Sequence, residues 1–203
     1  MKILAASDVE GDTRAVKKLA EKAEKENVDL VLLCGDITDF DMNTEGMIGP
    51  FLEKNKKVAF VSGNHDMPAA TEFLTEKYKI PNIQYHAFKI DNVGFFGCGG
   101  VNVNLGFNVM DDETMFNYIK RGFTYIEDAE KKILVTHLHS ADSTADKEFF
   151  IEGSGGKGIK AAIDVFKPDI HLSGHMHEFE GAVDYIGKTK LMSVGKNGTI
   201  FEI

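Results

Sequence analysis

Short runs of apolar residues alternate along the chain with segments in which apolar residues recur every three or four positions. The short runs predict β-strands, and the second pattern predicts amphipathic helices that connect them. The predicted strands span residues 2–7, 29–34, 58–62, 83–90, 93–98, 133–137, 169–175, 179–185, 189–194 and 199–203. The predicted helices span residues 12–26, 42–54, 68–77, 112–125 and 157–166.

The order of these elements indicates the fold class. Helices alternate with strands through most of the chain, and three strands follow one another at its end. This order is typical of an α/β fold rather than an all-β or all-α fold. No internal repeat, low-complexity tract or linker interrupts the pattern. We therefore expect residues 1–203 to form a single α/β domain.

The charge balance disfavours one class of partner. The chain has 32 acidic and 23 basic residues, which gives a formal net charge of −9 with histidine neutral. A protein that binds nucleic acid mainly by neutralising phosphates has the opposite balance. A long nucleic-acid substrate is therefore not expected.

Cysteine usage and hydropathy predict a soluble, cytoplasmic protein. Cys34 and Cys98 each lie in an apolar run, which predicts buried, reduced thiols rather than a disulfide framework. The apolar run in the first residues, MKILAASD, is shorter than the apolar region of a signal peptide. No stretch approaches the ~20 apolar residues that a membrane span needs. We therefore expect no membrane partner.

Polar side chains cluster where five of the predicted strands end. Ligands of open α/β sheets gather outside the carboxyl ends of the strands, so these side chains are expected to converge on one site. The segments concerned are SDVEGD, CGDITD, SGNHD, VTHLHS and SGHMH. They contribute Asp8, Glu10, Asp36, Asp39, Asn64, His65, Asp66, His137, His139, His175 and His177.

This set of side chains is typical of a metal centre. Carboxylate oxygens and imidazole nitrogens, without thiolates, suit Mn, Fe or Zn. The candidate ligands are too many for one tetrahedral ion, whereas two ions that share a bridging carboxylate would use them. Such a pair of ions clamps a phosphoryl group and lowers the pKa of a bound water.

A structural interpretation competes with the metal centre. Asp8 and Asp36 could each cap the helix that follows, because aspartate is a favoured N-cap residue. Capping alone, however, does not require His137, His175 and His177 as well. The metal interpretation explains all these residues together.

Other features are interpreted as structural or stay open. His86 and His171 lie inside strand patterns away from any motif, and we interpret both as structural. The GSGGKG loop (153–158) lacks the spacing of a P-loop. Its backbone N–H groups could contact a substrate phosphate at the start of a helix, or the loop could be a plain connection. Residues 101–110 could contact the substrate or form an ordinary loop.

Four sequence features occur in a fixed order: GDITD, GNHD, a histidine at a strand end and GHMH, all after an N-terminal aspartate. In this order they resemble the calcineurin-like metallophosphoesterase superfamily, in particular its small single-domain prokaryotic members. The resemblance extends from Asp8 to His177. It implies a four-layer αββα sandwich, in which two mixed β-sheets are flanked by helices, and a small phosphoester as the substrate.

The resemblance also implies a role for each site residue. Asp36 would bridge two divalent metal ions, and a metal-bridging hydroxide would attack phosphorus in line. His65 would donate a proton to the leaving oxygen, oriented by Asp66 or Asp39. The first ion would be held by Asp8, Glu10, Asp36 and His177. The second ion would be held by Asp36, Asn64, His137 and His175.

This chain departs from the family pattern at two positions. Glu10 stands where the family usually has histidine, and it can still bind a metal. We expect its charge to weaken or retune the first metal site and to favour Mn²⁺ over Zn²⁺, with Fe and Ni as further candidates. His139 stands where the family often has proline, which leaves open whether His137 or His139 is the ligand.

Three functions are consistent with these residues to different degrees. The favoured one is a phosphoesterase with two metal ions, with a diester substrate preferred over a monoester. The alternative is a non-catalytic or weakly active scaffold that binds a protein partner, although loss of the catalytic residues would then be expected. Acidic charge disfavours a nuclease. Ile186, Leu191 and Phe201 could be core or interface residues, so a homo-oligomer stays open.

Overall fold

The strands pair into two mixed β-sheets in this computed structural model, which describes residues 1–148 and 154–203. The first sheet has the strand order β10 (Thr199–Glu202), β1 (Lys2–Ala6), β2 (Leu30–Cys34) and β3 (Lys57–Val61). The second sheet has the order β4 (Phe88–Ile90), β5 (Val93–Cys98), β6 (Lys131–Thr136), β7 (Ile170–Ser173), β9 (Thr189–Ser193) and β8 (Val183–Ile186). Strands β10, β4 and β8 run antiparallel to their neighbours, and the other neighbouring strands are parallel.

Helices connect most of the parallel strands. They are α1 (Thr13–Lys25), α2 (Gly49–Glu53), α3 (Pro68–Tyr78), α4 (Asp112–Thr124), α5 (Thr144–Glu148), α6 (Lys157–Phe166) and a 3-10 helix at His177–Phe179. Asp12 begins α1, because its carboxylate accepts hydrogen bonds from the N–H groups of Arg14 and Ala15. Asp111 caps α4 and Pro68 opens α3, as the sequence predicts.

Three apolar clusters build the layers of the fold. Successive residues of a strand point to opposite faces, so Ile3 packs between the two sheets while Leu4 packs against helices. The middle cluster joins residues of both sheets. The other two clusters bury the outer sheet faces, one against α1, α2 and α3 and one against α4 and α6. The predicted four-layer αββα sandwich is therefore confirmed.

One predicted strand is much shorter than its sequence pattern. The pattern predicts a strand over residues 83–90, but only Phe88–Ile90 is one. The preceding residues form a turn, in which the Asn82 carbonyl accepts hydrogen bonds from the N–H groups of Tyr85 and His86. The start of this segment pairs with β3 rather than with β5, because the Ile83 N–H donates to the Phe60 carbonyl at 2.7 Å.

The remaining differences concern helices and one strand end. The helix predicted at residues 42–54 is only α2, because Gly46 adopts a φ of +76° that breaks the helical path. Strand β8 begins at Val183 rather than at 179, since the 3-10 helix occupies the earlier position. Helix α5 lies in a segment for which the sequence pattern predicts a loop.

Three apolar residues that the sequence leaves open as core or interface lie in or against the core. Leu191 is buried, and Ile186 and Phe201 pack against buried clusters. Cys34 and Cys98 are free and buried, as predicted. Among the described residues, no helix combines the length and the apolar character needed to cross a membrane.

The middle cluster supplies a test of the packing. Phe95 is completely buried between the sheets and stacks on Phe88, with 4.9 Å between ring centroids. Phe95→Ala is expected to lower the free energy of unfolding by about 3–5 kcal/mol, because the substitution leaves a cavity. Phe73→Ala changes an exposed position of α3 and should cost less than about 1 kcal/mol. Urea denaturation in the presence of a chelator measures both, and equal losses would contradict this packing.

Candidate metal centre

The loops that follow β1, β2, β3, β6 and β7 meet at the carboxyl ends of the parallel strands. Strands β2 and β3 end level with each other in the register of the first sheet. Backbone hydrogen bonds join the loops: the Asp8 N–H donates to the Gly35 carbonyl, and the Gly174 N–H donates to the His137 carbonyl, each at 3.0 Å. The strand ends that the sequence predicts to converge therefore do so.

The orientation of the His137 ring decides which nitrogen faces the site. Its Nδ1 lies 2.9 Å from the Cys34 carbonyl oxygen, which only accepts hydrogen bonds, so Nδ1 carries a proton. The other nitrogen, Nε2, lies 3.0 Å from Asn64 Oδ1 and 3.3 Å from Asp36 Oδ2. In the neutral imidazole, Nε2 and both oxygens would direct lone pairs at one another. This arrangement needs a positive charge between them.

The pKa values of His137 and Asp36 are shifted in the directions that place a positive charge between them. Burial disfavours the charged form of His137, but the nearby Asp36 carboxylate outweighs burial and raises the pKa of His137 to about 9. Burial likewise opposes ionisation of Asp36, but His137 outweighs it and lowers the pKa of Asp36 to about 2. A proton or a metal ion can supply the charge that these donor atoms require.

His175 completes this first group of donors. Ligand-type atoms of Asp36, His137 and His175 all lie within 4.8 Å of one another. Burial and the neighbouring His137 lower the pKa of His175 to about 4, so its imidazole is neutral and has a lone pair to offer. Its backbone N–H donates to the Asp8 carboxylate at 3.1 Å, which connects the first group to the second.

The second group of donors lies on the other side of Asp36. His177 Nε2 is 3.5 Å from Asp8 Oδ1 and 3.8 Å from Glu10 Oε1. The nearby Asp8 carboxylate raises the pKa of the half-exposed His177 to about 9. Ligand-type atoms of Glu10, Asp36 and His65 also lie within 4.8 Å of one another. Asp36 therefore borders both groups, and Glu10 reaches the site despite replacing histidine.

The two groups fit a pair of divalent ions. Their atoms are carboxylate, amide and imidazole donors of the kind that Mn, Fe and Zn accept. The Asn64 Nδ2 atom is buried without a hydrogen-bond partner among the described residues, whereas its Oδ1 is directed at the other donors. The structure brings together all seven residues predicted as ligands: Asp8, Glu10, Asp36, Asn64, His137, His175 and His177.

The backbone at the site is strained. A left-handed φ costs a non-glycine residue about 1–2 kcal/mol and concentrates at functional sites. Four of the predicted ligands have this conformation: Asp8 (57°), Glu10 (46°), Asp36 (50°) and His175 (68°). The position of their side chains, rather than local stability, explains these conformations. No apolar pattern in the sequence reveals this strain.

Close packing explains the glycine that precedes two of the motif residues. A Cβ atom at Gly63 would overlap the Asp36 carboxylate, and a Cβ atom at Gly35 would overlap the His137 ring. The GD and GN pairs of the sequence are therefore steric requirements of the site. The backbone must pass this close to bring the donors together.

Asp66, one of the two carboxylates considered as a partner of His65, has a structural position. It is buried and accepts hydrogen bonds from the N–H groups of Ile37, Thr38 and Gly63, at 2.7–2.9 Å. The Thr38 hydroxyl donates a fourth hydrogen bond at 2.9 Å. Its carboxylate thus holds the loops after β2 and β3 together, and the structure does not bring it to the His65 ring.

Asp39 is the candidate that does reach His65. Asp39 Oδ1 and Glu10 Oε1 each lie 3.5 Å from His65 Nδ1. These are ion-pair distances rather than hydrogen bonds, and Nδ1 has no hydrogen-bond partner among the described residues. The Phe40 ring covers the imidazole, with 4.0 Å between centroids. The geometry therefore favours Asp39, together with Glu10, as the carboxylate neighbours of His65.

His137 and His139 occupy different environments. Only His137 contacts Asp36. His139 is buried away from the carboxylates, and its Nε2 lies 3.2 Å from Ser154 Oγ. Burial lowers the pKa of His139 to about 4. The geometry thus favours His137 as the metal ligand.

The structural interpretations have mixed outcomes. His171 is buried and its ring hydrogen-bonds to a threonine hydroxyl, whereas His86 is exposed in a turn rather than inside a strand. The capping interpretation of Asp8 and Asp36 is wrong. Asp12 caps α1, and α2 begins without any side-chain cap.

Three N–H groups of the glycine loop donate to acceptors within the protein and are not free for a phosphate. Gly155 donates to the Asp146 carboxylate and Gly158 to the Asp112 carboxylate. The N–H of Gly156 donates to a backbone carbonyl. The phosphate-binding interpretation is therefore wrong for these three residues, and the part of it that concerns residue 153 lies outside the described residues.

A pocket of about 620 Å³ opens onto the donors. The segment 101–110, whose role the sequence leaves open, contributes part of its wall. Met176, inside the GHMH motif, and Glu178, directly after it, are pocket residues to which the sequence assigns no role. Nothing in their spacing marks them as functional. The pocket is lined by Glu10, Asp36, Asn64, His65, Val103, Leu105, Ser154, His175, Met176, His177 and Glu178.

A two-sheet sandwich with these donors at its strand ends is the architecture of metal-dependent phosphoester hydrolases. The model of the calcineurin-like phosphoesterase family matches residues 1–179, and the chain belongs to this family. The resemblance noted from the sequence motifs is thereby confirmed.

Individual proteins resemble this chain in sequence or in fold. An uncharacterized protein from Methanocaldococcus jannaschii is 29% identical over 198 residues, which cover 93% of this chain and 85% of that protein. A structure from Thermus thermophilus has a TM-score of 0.74 at 16% identity, over 97% of this chain and 90% of the other. A dimetal phosphatase from Danio rerio has a TM-score of 0.66 at 13% identity, over 97% and 88%. These two structures share the fold.

The two carboxylates near His65 give a matched test. Asp66→Ala leaves several buried N–H groups without an acceptor and is expected to lower the free energy of unfolding by about 3 kcal/mol or more. Asp39→Ala, at a largely exposed side chain, should change it by less than about 0.5 kcal/mol. Urea denaturation of the metal-free proteins checks both values. Similar small losses would show that Asp66 does not hold the loops together.

The two neighbouring histidines give a second matched test. His137→Gln is expected to weaken Mn²⁺ binding by about tenfold or more, because a donor of the first group is altered. His139→Gln changes a buried imidazole that does not contact the carboxylates, and Mn²⁺ affinity should stay within about threefold. Calorimetric titration of metal-stripped protein measures both. A larger loss of Mn²⁺ affinity in His139→Gln than in His137→Gln would identify His139 as the ligand instead.

Proposed function

We propose that this protein is a phosphodiesterase that depends on two divalent metal ions, with Mn²⁺ favoured. The observation that carries the proposal is the convergence of His137 Nε2, Asn64 Oδ1 and Asp36 Oδ2. The nitrogen lies within 3.3 Å of both oxygens. The proton on Nδ1 of the same ring is directed away from them, at the Cys34 carbonyl. Three acceptors that face one another in this way are the signature of a cation site. The dimetal phosphatase named among the fold neighbours is consistent with two ions.

The residues divide between the two ions through Asp36. Bound divalent ions supply such a reaction with charge neutralisation on phosphoryl oxygens and with a more acidic water. The oxygen ligand Glu10 in place of an imidazole supports a hard ion such as Mn²⁺. One ion would use Asp8, Glu10, Asp36 and His177. The other would use Asp36, Asn64, His137 and His175.

His65 is proposed as the group that protonates the leaving oxygen. Its Nδ1 faces the carboxylates of Glu10 and Asp39, so the N–H of a protonated ring at this position would be directed at them. The other nitrogen then holds the proton that can be transferred in the pocket. Phe40 packs on the ring and restricts its rotation.

The charge of the pocket supports a diester substrate. None of the described residues that line it is lysine or arginine, and both Glu10 and Glu178 are acidic. A phosphomonoester carries a charge near −2 at neutral pH, because its second pKa is about 6. A diester carries only one negative charge and is repelled less. A lysine or arginine in the pocket would have supported the opposite choice.

Hydrolysis of bis-p-nitrophenyl phosphate by metal-stripped protein, titrated with Mn²⁺, tests the proposed function. Activity is expected to rise with Mn²⁺ and to exceed that on p-nitrophenyl phosphate. His65→Gln should lower turnover by roughly 10²–10⁴-fold while Mn²⁺ binding persists, because a general acid is lost.

His86→Gln is the control for this substitution, because His86 is an exposed histidine outside the site. Its turnover should equal that of the unaltered protein. Absence of hydrolysis with Mn²⁺, Fe²⁺, Ni²⁺ and Zn²⁺ would contradict the enzyme and favour the scaffold alternative. Full activity in His65→Gln would contradict only the assigned role of His65.

A further inference from the structure

Three large apolar side chains stand exposed at the mouth of the polar pocket. Phe40, Val103 and Leu105, together called the apolar rim, are 46%, 41% and 53% exposed. Val103 and Leu105 line the pocket that contains the donors, and Phe40 packs on His65. Scattered apolar residues on a surface need no explanation, but a group of three beside a reactive centre does.

The apolar rim is fixed to the loop that carries the donors. The Phe107 N–H donates to the Asn64 carbonyl at 2.7 Å, and the Phe40 N–H donates to the His65 carbonyl at 3.0 Å. The Asn108 side chain donates to the carbonyl of Gly63 at 2.8 Å. Phe40 and the end of the segment that carries Val103 and Leu105 are therefore anchored beside the site, as a preformed binding surface requires.

The surroundings of the rim also exclude a charged group. The pocket offers Glu10 and Glu178, and its described lining contains no lysine or arginine. A second anionic group on the substrate, such as a carboxylate or a further phosphate, would find no lysine or arginine among these described residues to pair with. An uncharged apolar group would instead bury surface against Val103 and Leu105.

We propose that the apolar rim is a subsite for an uncharged aryl or alkyl ester group of the substrate. The subsite deepens the proposed function and rests on it, since the phosphoryl group would occupy the adjacent donors. The substrate class is then a phosphodiester with at least one apolar substituent and no second anionic group. Nucleotides with several phosphates do not belong to this class.

Binding of three matched phosphodiesters tests the subsite. Diphenyl phosphate, dimethyl phosphate and bis(4-carboxyphenyl) phosphate share the phosphodiester charge and differ in their ester groups. Calorimetric titration, with and without Mn²⁺, gives their dissociation constants. Diphenyl phosphate is expected to bind about tenfold or more tightly than either of the others, because only its rings bury apolar surface without added charge.

Substitutions at the rim connect this preference to Leu105. Leu105→Ser should lower the affinity ratio of diphenyl to dimethyl phosphate by about threefold to tenfold, whereas Leu105→Met should restore most of it. Leu105→Lys should improve binding of the carboxylated diester. Val165→Ser, at a 61% exposed position of α6, is the control and should leave the ratio unchanged.

The outcomes separate the subsite from the proposed function. Three results would overturn the subsite, even if bis-p-nitrophenyl phosphate is hydrolysed. They are equal binding of the three diesters, no binding of any diester, and an affinity ratio of diphenyl to dimethyl phosphate that Leu105→Ser leaves unchanged. If the affinities follow the expected order and depend on Leu105, the subsite holds. It holds in that case even if no metal supports hydrolysis, a result that would overturn the proposed enzyme instead.

Discussion

Repulsion among donor atoms is the constraint on which the rest of this structure depends. Asp8, Asp36 and Glu10 bring carboxylates close together, and two like charges 4 Å apart repel by about 4 kcal/mol at an effective dielectric constant of about 20. The neutral ring of His175 adds a lone pair to the same region, and so does the ring of His137 whenever its Nε2 carries no proton. A fold that holds such a site must fix its groups by interactions elsewhere, because the site does not stabilise itself.

The surrounding loops provide those interactions. Asp66 accepts four hydrogen bonds from the loops after β2 and β3, which holds Asp36 and Asn64 in place without using a site residue. The glycines before Asp36 and Asn64 let two backbones approach closely, and the apolar layers between and outside the sheets fix the strand ends. Left-handed backbone at the predicted ligands is compatible with stability only because this frame is rigid.

The sequence reveals which residues meet but not how each one is used. The two-residue strand period and the polar strand ends are local, so the α/β class and the convergence of Asp36, Asn64 and His137 could be predicted. The choice between Asp66 and Asp39, or His137 and His139, depends on contacts between segments far apart in the chain. The same reason explains why α5 is not evident in the sequence and why residues 83–87 are not a strand, since a turn and a paired strand can have similar apolar content.

The acidic Glu10 at the site and the apolar rim at its mouth both favour, under the proposed function, a substrate with little negative charge. Glu10 adds a negative charge that offsets part of the positive charge of bound cations. The net positive charge that can attract a phosphate is therefore smaller than with histidine at that position. A monoanionic diester suits that smaller charge better than a dianion. With less electrostatic attraction available, apolar contact gains weight, and the proposed subsite at Val103 and Leu105 lines the same pocket as the donors. The acidic residue at position 10 and the exposed rim are thus the two features of this site from which the proposed preference for an uncharged ester group follows.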